Sequence, residues 1–258
     1  MAQLVPITTT RLGEHLSLLD LLPDSQPLAW VRSGEGLVGW GTYATTTVSG
    51  PHRFADARHW WQKQLEKFTV NNTVHGSGTG PVLFASFSFS PDDVSVLVIP
   101  QVVVGTKSGK SWITWIGSDS QPELKTEPEH FSNGSMTWNE EPQADLLWKE
   151  RVATAVARIQ NGDLDKVVLA RDITVSSNKA IDPRAILNKL ALEYPTTWKF
   201  AVSGLVGATP ELLLRLSRGM VTSRVLAGTI SKTGDDERDL ALAASLARSS
   251  KDLEEHEY

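Results

Sequence analysis

The stretch Glu211–Val225 reads ELLLRLSRGMVTSRV. Two runs of strand-forming residues, Glu211–Leu216 and Met220–Val225, flank Ser217-Arg218-Gly219, and that order predicts a β-hairpin. With the turn centred between Arg218 and Gly219, Ser217 faces Met220 and Glu211 faces Leu226. Glu211 then sits beside Ala227-Gly228-Thr229, so a carboxyl group, a small-residue loop and a hydroxyl converge at one sheet end. Gly228 lets a ligand approach the backbone closely. On the residues alone, a solvated residue at the start of a strand is the plainer reading of Glu211.

Working outward, Lys199–Val206 reads as a strand, and Asp182-Pro183 opens a helix with Ile186, Leu187 and Leu190 on its apolar face. Asp165–Val175 (DKVVLARDITV) reads as a further strand. Before it, Leu147, Trp148, Arg151, Val152, Ala155, Val156 and Ile159 recur at helical spacing, with Pro142 at the start and Asn161-Gly162 as the stop. A last helical region begins near Asp235. The first 140 residues are strand-rich: Pro81–Ser90, Val94–Ile99, Val102–Val104 and Ser111–Ile116 are separated by turn chemistry such as Ser108-Gly109, with a helix over Ala55–Phe68. The polar connection Asp119–Pro142 divides a strand-rich N-terminal subdomain, 1–140, from a second region, 141–258. Mostly antiparallel pairs with interspersed helices predict an α+β fold.

Composition narrows the function classes. The chain has 258 residues, 40% hydrophobic and 21% charged, as expected of a folded globular protein. It carries 25 Lys+Arg against 30 Asp+Glu, a formal net charge of −5, which disfavours non-specific binding to nucleic acid or an anionic membrane. With no cysteine there is no disulfide, thiolate metal site or cysteine nucleophile. No secretory leader is visible and no apolar run approaches the roughly eighteen residues of a membrane span, so a cytoplasmic location is expected. Gly76-Ser-Gly-Thr-Gly-Pro81 resembles a phosphate loop, but no Lys-Ser/Thr follows it, and it reads as a turn into the next strand. His15, His52, His59, His75 and His130 lack metal-ligand spacing, and the tryptophans lack the basic interleaving of a nucleic-acid surface.

Two further segments carry chemistry. On a strand, Lys166 shares a face with Val168 and Ala170, while Val167, Leu169 and Arg171 point the other way. Both faces being apolar, the strand is expected to be buried on both sides. A desolvated lysine there has a lowered pKa and can act as a base; a strand-end lysine reaching to water is the plainer alternative. In the run Lys251-Asp-Leu-Glu-Glu-His256, a helix places Asp252, Glu255 and His256 on one side. Two carboxylates on one face suit a hard cation such as Mg2+, although a solvated charged face has the same pattern.

Four motifs occur in order: Lys166–Arg171 (KVVLAR), Gly207–Leu213 (GATPELL), Leu226–Thr229 (LAGT) and Ser250–His256 (SKDLEEH). Together they resemble the chorismate-utilising enzyme family, and within it the isochorismate synthases. The resemblance implies that Lys166 activates water for attack at C2 of chorismate and that Glu211 protonates the departing C4 hydroxyl. It implies that Gly228 and Thr229 contact the substrate carboxylate and that Glu255 coordinates Mg2+, with Asp252 and His256 in supporting positions. Relatives that use ammonia resemble this motif with Gln where this chain has Lys166. A nucleophile that is already a base needs no general base, whereas water does, so Lys166 favours water addition.

The implied activity is interconversion of chorismate and isochorismate. A salicylate synthase, which also eliminates pyruvate, is the alternative within the family. The N-terminal region resembles the menaquinone-pathway members, and a siderophore pathway is the other possibility. Relatives continue beyond the position of Tyr258 with a further Mg2+ ligand and carboxylate-binding groups. The resemblance therefore also implies a C-terminally incomplete version of the fold, with apolar faces such as Leu240, Ala243, Leu246 and Ala247 exposed. An inactive chorismate-binding fragment is the corresponding alternative function. Oligomeric state is not legible.

Overall fold

A computed structural model describes residues 3–13, 16–125, 134–139, 144–224, 226, 230–231 and 233–249. The first strands are β1 (Val5–Leu12), β2 (Leu28–Arg32), β3 (Glu35–Trp40) and β4 (Ala44–Val48), followed by helix α1 (Arg53–Leu65) and β5 (Phe68–Asn72). Next come β6 (Phe84–Ser86), β7 (Ser95–Ile99), β8 (Val102–Lys107), β9 (Lys110–Ile116) and β10 (Met136–Asn139). The rest comprises α2 (Ala144–Gln160), β11 (Thr174–Ser177), α3 (Pro183–Glu193), β12 (Trp198–Val202), β13 (Leu205–Thr209), β14 (Leu212–Ser217), β15 (Met220–Arg224) and α4 (Asp236–Ala247).

One eight-stranded sheet organises the molecule, in the order β13-β12-β2-β3-β8-β9-β1-β5. Every neighbouring pair in it is antiparallel except β1 with β5. β4-β7-β6 form a second, three-stranded sheet, while β10-β11 and β14-β15 are separate two-stranded pairs among the described residues. The expected α+β class with mostly antiparallel sheets is what the chain adopts. Strands from both sides of residue 140 share the large sheet, because Ala201 of β12 pairs with Ala29 of β2.

Four hairpins share one device. Ser33-Gly34, Ser108-Gly109, Ser203-Gly204 and Arg218-Gly219 each place two successive residues at positive φ. That is the mirror-image turn whose twist matches the strands it joins, and glycine supplies the second position without steric cost. Gly105 answers a different need: a Cβ there would overlap the Trp112 ring packed across the strand. Ile7, Val38, Val104 and Ile113 are fully buried in the sheet, and Leu187 of α3 is fully buried with them. α3 begins with Asp182, whose carboxylate accepts from the Arg184 N–H at 2.9 Å, and Pro183 follows in the first turn.

The structure corrects several expected elements. Lys199–Val206 is not one strand; the Ser203-Gly204 turn splits it into the β12–β13 hairpin. The strand expected over Pro81–Ser90 contracts to β6, because the Ser88 N–H donates to Ser95 Oγ (3.0 Å) and Ser88 Oγ donates to Asp93 O (3.0 Å). Those bonds fold the chain back beyond Ser86, and Phe87 instead meets Phe54 of α1. Of the strand expected over Asp165–Val175 only Thr174-Val175 is paired, at the start of β11, whose partner β10 lies inside what reads as a polar connection.

Candidate functional site

Lys166 lies outside any paired strand, in the connection between α2 and β11, and it is exposed. The segment is tethered at both ends. At the C-terminus of α2, Gly162 adopts φ +77° and the Asp163 N–H donates to Arg158 O at 2.9 Å. At the other end, Arg171 Nη1 donates to Asp145 Oδ1 in the first turn of α2 at 2.7 Å. Thirteen helical residues between Asp145 and Arg158 rise about 20 Å. Eight residues from Asp163 to Arg171 could reach at most about 26 Å, which is enough to span that length. The segment carrying Lys166 therefore runs back along the length of α2. Burial on both faces was the expectation here, and it fails: Val168 is 92% exposed, and Val167 and Leu169 are exposed too. A strand is buried on both faces only when other elements cover it, and none of the described residues is placed to do so.

Glu211 stands between β13 and β14, exposed, with its N–H donating to Thr209 Oγ1 at 3.1 Å. The hairpin that follows turns where expected: Ser217 pairs with Met220, Leu216 with Val221 and Arg215 with Thr222. The register then shifts, and Leu212 pairs with Arg224. The extrapolation that set Glu211 opposite Leu226 does not survive this irregularity, which moves the end of the first strand by one residue relative to the second.

Gly228, Thr229, Asp252, Glu255 and His256 lie outside the described residues. Among the described residues no group of three or more His, Asp or Glu side chains is placed to hold a metal ion. No helix among them is long and apolar enough to cross a membrane. The Gly76–Pro81 stretch is the expected turn, with Thr79 Oγ1 accepting from the Gly76 N–H at 3.0 Å and the Trp112 indole donating to Gly78 O at 3.0 Å.

One ionisable residue escapes a sequence reading. Lys199 in β12 is 2% exposed, and its ammonium donates to Tyr194 O (2.9 Å), Pro195 O (3.0 Å) and Thr197 O (2.9 Å). Burial, and then the Arg32 guanidinium, push its pKa below the ordinary lysine value, while the three carbonyls occupy every proton of the ammonium. Arg32 Nε donates to Thr196 O at 2.7 Å, so two cations hold the loop after α3 against the sheet. This is an architectural clamp: no donor of Lys199 is left for a ligand. The signal was a lysine inside the apolar strand sequence Trp198-Lys199-Phe200.

Asp182 is the other shifted group. Partial burial raises it, but hydrogen bonds from the Arg184 side chain and backbone, together with that residue's charge, outweigh burial and hold the carboxyl below its usual range.

The chorismate binding enzyme family matches residues 26–258 of the chain. The isochorismate synthase MenF of Bacillus subtilis is 26% identical over 255 residues, covering 86% of this chain and 54% of that protein. The isochorismate synthase EntC of Escherichia coli is 31% identical over 185 residues, covering 69% and 44%. The solved structure of MenF, the menaquinone-specific isochorismate synthase from Escherichia coli, superposes with a TM-score of 0.73 at 18% identity, covering 97% of this chain and 61% of that one. The chain thus spans about half the length of the curated relatives it matches.

Proposed function

The chain belongs to the chorismate binding enzyme family, and on that premise we propose that it serves an Mg2+-dependent isochorismate synthase of menaquinone biosynthesis, in the cytoplasm. The observation that carries the reading is that KVVLAR, GATPELL, LAGT and SKDLEEH all fall, in order, within the matched residues 26–258.

In this reading Lys166 is the general base. Its neutral amine takes a proton from water as the water oxygen bonds to C2 of chorismate. The ring double bonds shift, the C4–O bond breaks, and Glu211 delivers the proton with which that oxygen leaves as water. One water enters and one leaves. The chemistry needs an amine and a carboxylic acid each away from its ordinary protonation state. Closure of further polypeptide or substrate over Lys166 and Glu211 would supply it by excluding water. Gly228 and Thr229 are proposed to receive the substrate carboxylate. Glu255 is proposed to ligate Mg2+, with Asp252 and His256 in support; carboxylate oxygens are the donors this cation prefers. The bound cation would anchor the substrate carboxylate and offset its charge.

A second reading is favoured by the exposed Val167–Leu169 and Leu213–Leu214, which adjoin Lys166 and Glu211: the 258 residues bind chorismate but need an additional polypeptide for turnover. The experiment is to incubate the chain with chorismate and Mg2+ and identify products by NMR, alongside Lys166→Ala. Isochorismate from the parent chain and none from the variant is the expected result. Binding without turnover in both selects the second reading. Salicylate with pyruvate selects the salicylate synthase chemistry. Normal turnover by Lys166→Ala overturns the assignment of the base.

A further inference from the structure

Four arginines converge on one groove. Arg32 from β2, Arg215 from β14, Arg224 from β15 and Arg218 from the turn between those last two strands line a cavity of about 420 Å3, walled on one side by Trp198. Among the described residues no Asp or Glu lines it. In a chain of net charge −5, carboxylates are the more abundant charged groups, so four guanidinium groups around one groove are not what composition alone would distribute. Alternation along the hairpin accounts for the clustering: Arg215 and Thr222 are directly paired, and Arg224 follows two residues on from Thr222, on the same face of its strand. Leu216 and Val221, paired with each other, take the opposite face.

Part of the groove is already held in place. Arg32 is fixed by its bond to Thr196 O at 2.7 Å, and its guanidinium carbon sits 5.6 Å from the centroid of the Trp198 ring. Trp30 stacks on that ring at 5.0 Å, so Trp198 is held between its neighbours in the sheet. The Trp198 indole N–H is buried and has no hydrogen-bond partner among the described residues. Guanidinium groups present paired N–H donors that match the oxygens of carboxylate and phosphate, and their mutual repulsion is relieved when an anion sits between them.

We propose that this groove is a binding site for a small anion with two oxyanion groups, a diphosphate or a dicarboxylate. The site goes beyond the water-addition chemistry, in which none of these arginines has a role. Its volume lies in the range of small-molecule pockets, about 300–1,000 Å3.

The test is calorimetric titration of the chain with inorganic pyrophosphate and, separately, with succinate, at low and high salt. Saturable binding that weakens with salt is expected for at least one probe. In Arg215→Ala/Arg224→Ala the Kd should rise at least about tenfold, equivalent to about 1.4 kcal/mol. Arg215→Lys/Arg224→Lys, which keeps the charge and loses the fork, should fall between. Arg58→Ala, which removes an exposed arginine on α1, should bind as the parent does. All four arginines are at the surface or partly so, and unchanged far-UV circular dichroism certifies the fold of each variant. Pyrophosphate binding alone identifies a phosphate site, succinate binding alone a dicarboxylate site, and both together a site that reads the shared geometry. If neither probe saturates, or if the double alanine variant binds as tightly as the parent chain, the proposal is wrong.

Discussion

The β8–β9 and β14–β15 hairpins are built by the same local chemistry and end in opposite surroundings. Ser108-Gly109 and Arg218-Gly219 make the same two-residue turn, with positive φ at both positions. β8 and β9 lie between β3 and β1 in the large sheet, and Val103, Val104, Ile113 and Trp115 are buried. Among the described residues β14 and β15 pair only with each other, and Leu213 is 91% exposed. Turn residues and strand propensity specify a hairpin; its stability comes from what lies on its edges and faces. The residues proposed for catalysis belong with the second kind. Lys166 and Glu211 lie on or beside thinly covered segments, Glu211 just after β13 of the large sheet.

Substitutions can break this contrast, and the largest effect is expected at the centre of the sheet. Ile113→Ala should cost about 2–5 kcal/mol in denaturant unfolding, through lost apolar burial and the cavity left behind. Equal loss from Leu214→Ala would show that the second hairpin is packed after all. Next is Lys199→Met, expected to cost roughly 2 kcal/mol because three carbonyls lose a buried donor at once. Proteolysis in the Tyr194–Thr197 loop should accelerate in the same variant.

A smaller effect tests α3 and depends on pH. The Asp182 carboxyl titrates lower in the folded chain than its ordinary 3.8. Its contribution is therefore present above the unfolded-state value and is lost as pH falls through the lower folded-state value. Asp182→Ala should cost about 1 kcal/mol at neutral pH, and the gap between variant and parent should close in acid unfolding curves. A gap that stays constant down to strongly acid pH would contradict the ion-pair account. The smallest effect is expected from Leu214→Ser: stability within about 0.5 kcal/mol of the parent, with less binding of a hydrophobic dye.

Much of the fold was legible where the signal is local. Asp182-Pro183, Asn161-Gly162, Ser108-Gly109 and Arg218-Gly219 all mark boundaries that the backbone respects. Ser203-Gly204 carries the same turn signal but lies within the run Lys199–Val206, whose apolar residues read as one strand. Phe87 and Phe89 alternate like a strand, yet Ser88 bonds to Ser95 and Asp93 redirect the chain, and such side-chain competition has no periodic signature. The candidate site was legible as motifs and not as geometry. KVVLAR specifies an apolar extended segment, but what covers Val168 is decided by residues far away in the chain. Lys199 was missed because a lysine in an apolar strand reads as a residue reaching for water, and only the folded loop after α3 supplies three carbonyls to hold it.

Amide hydrogen exchange with and without chorismate and Mg2+ tests the central claim most directly, that thinly covered segments carry the site. In the free chain, amides of β8 and β9 should exchange slowest, and those of residues 164–173 and of β14–β15 should exchange fast. Chorismate with Mg2+ should slow exchange around Lys166 and Glu211 and leave β8 and β9 unchanged. Uniform protection across both hairpins, or no response near Lys166 and Glu211 under saturating chorismate, would contradict it.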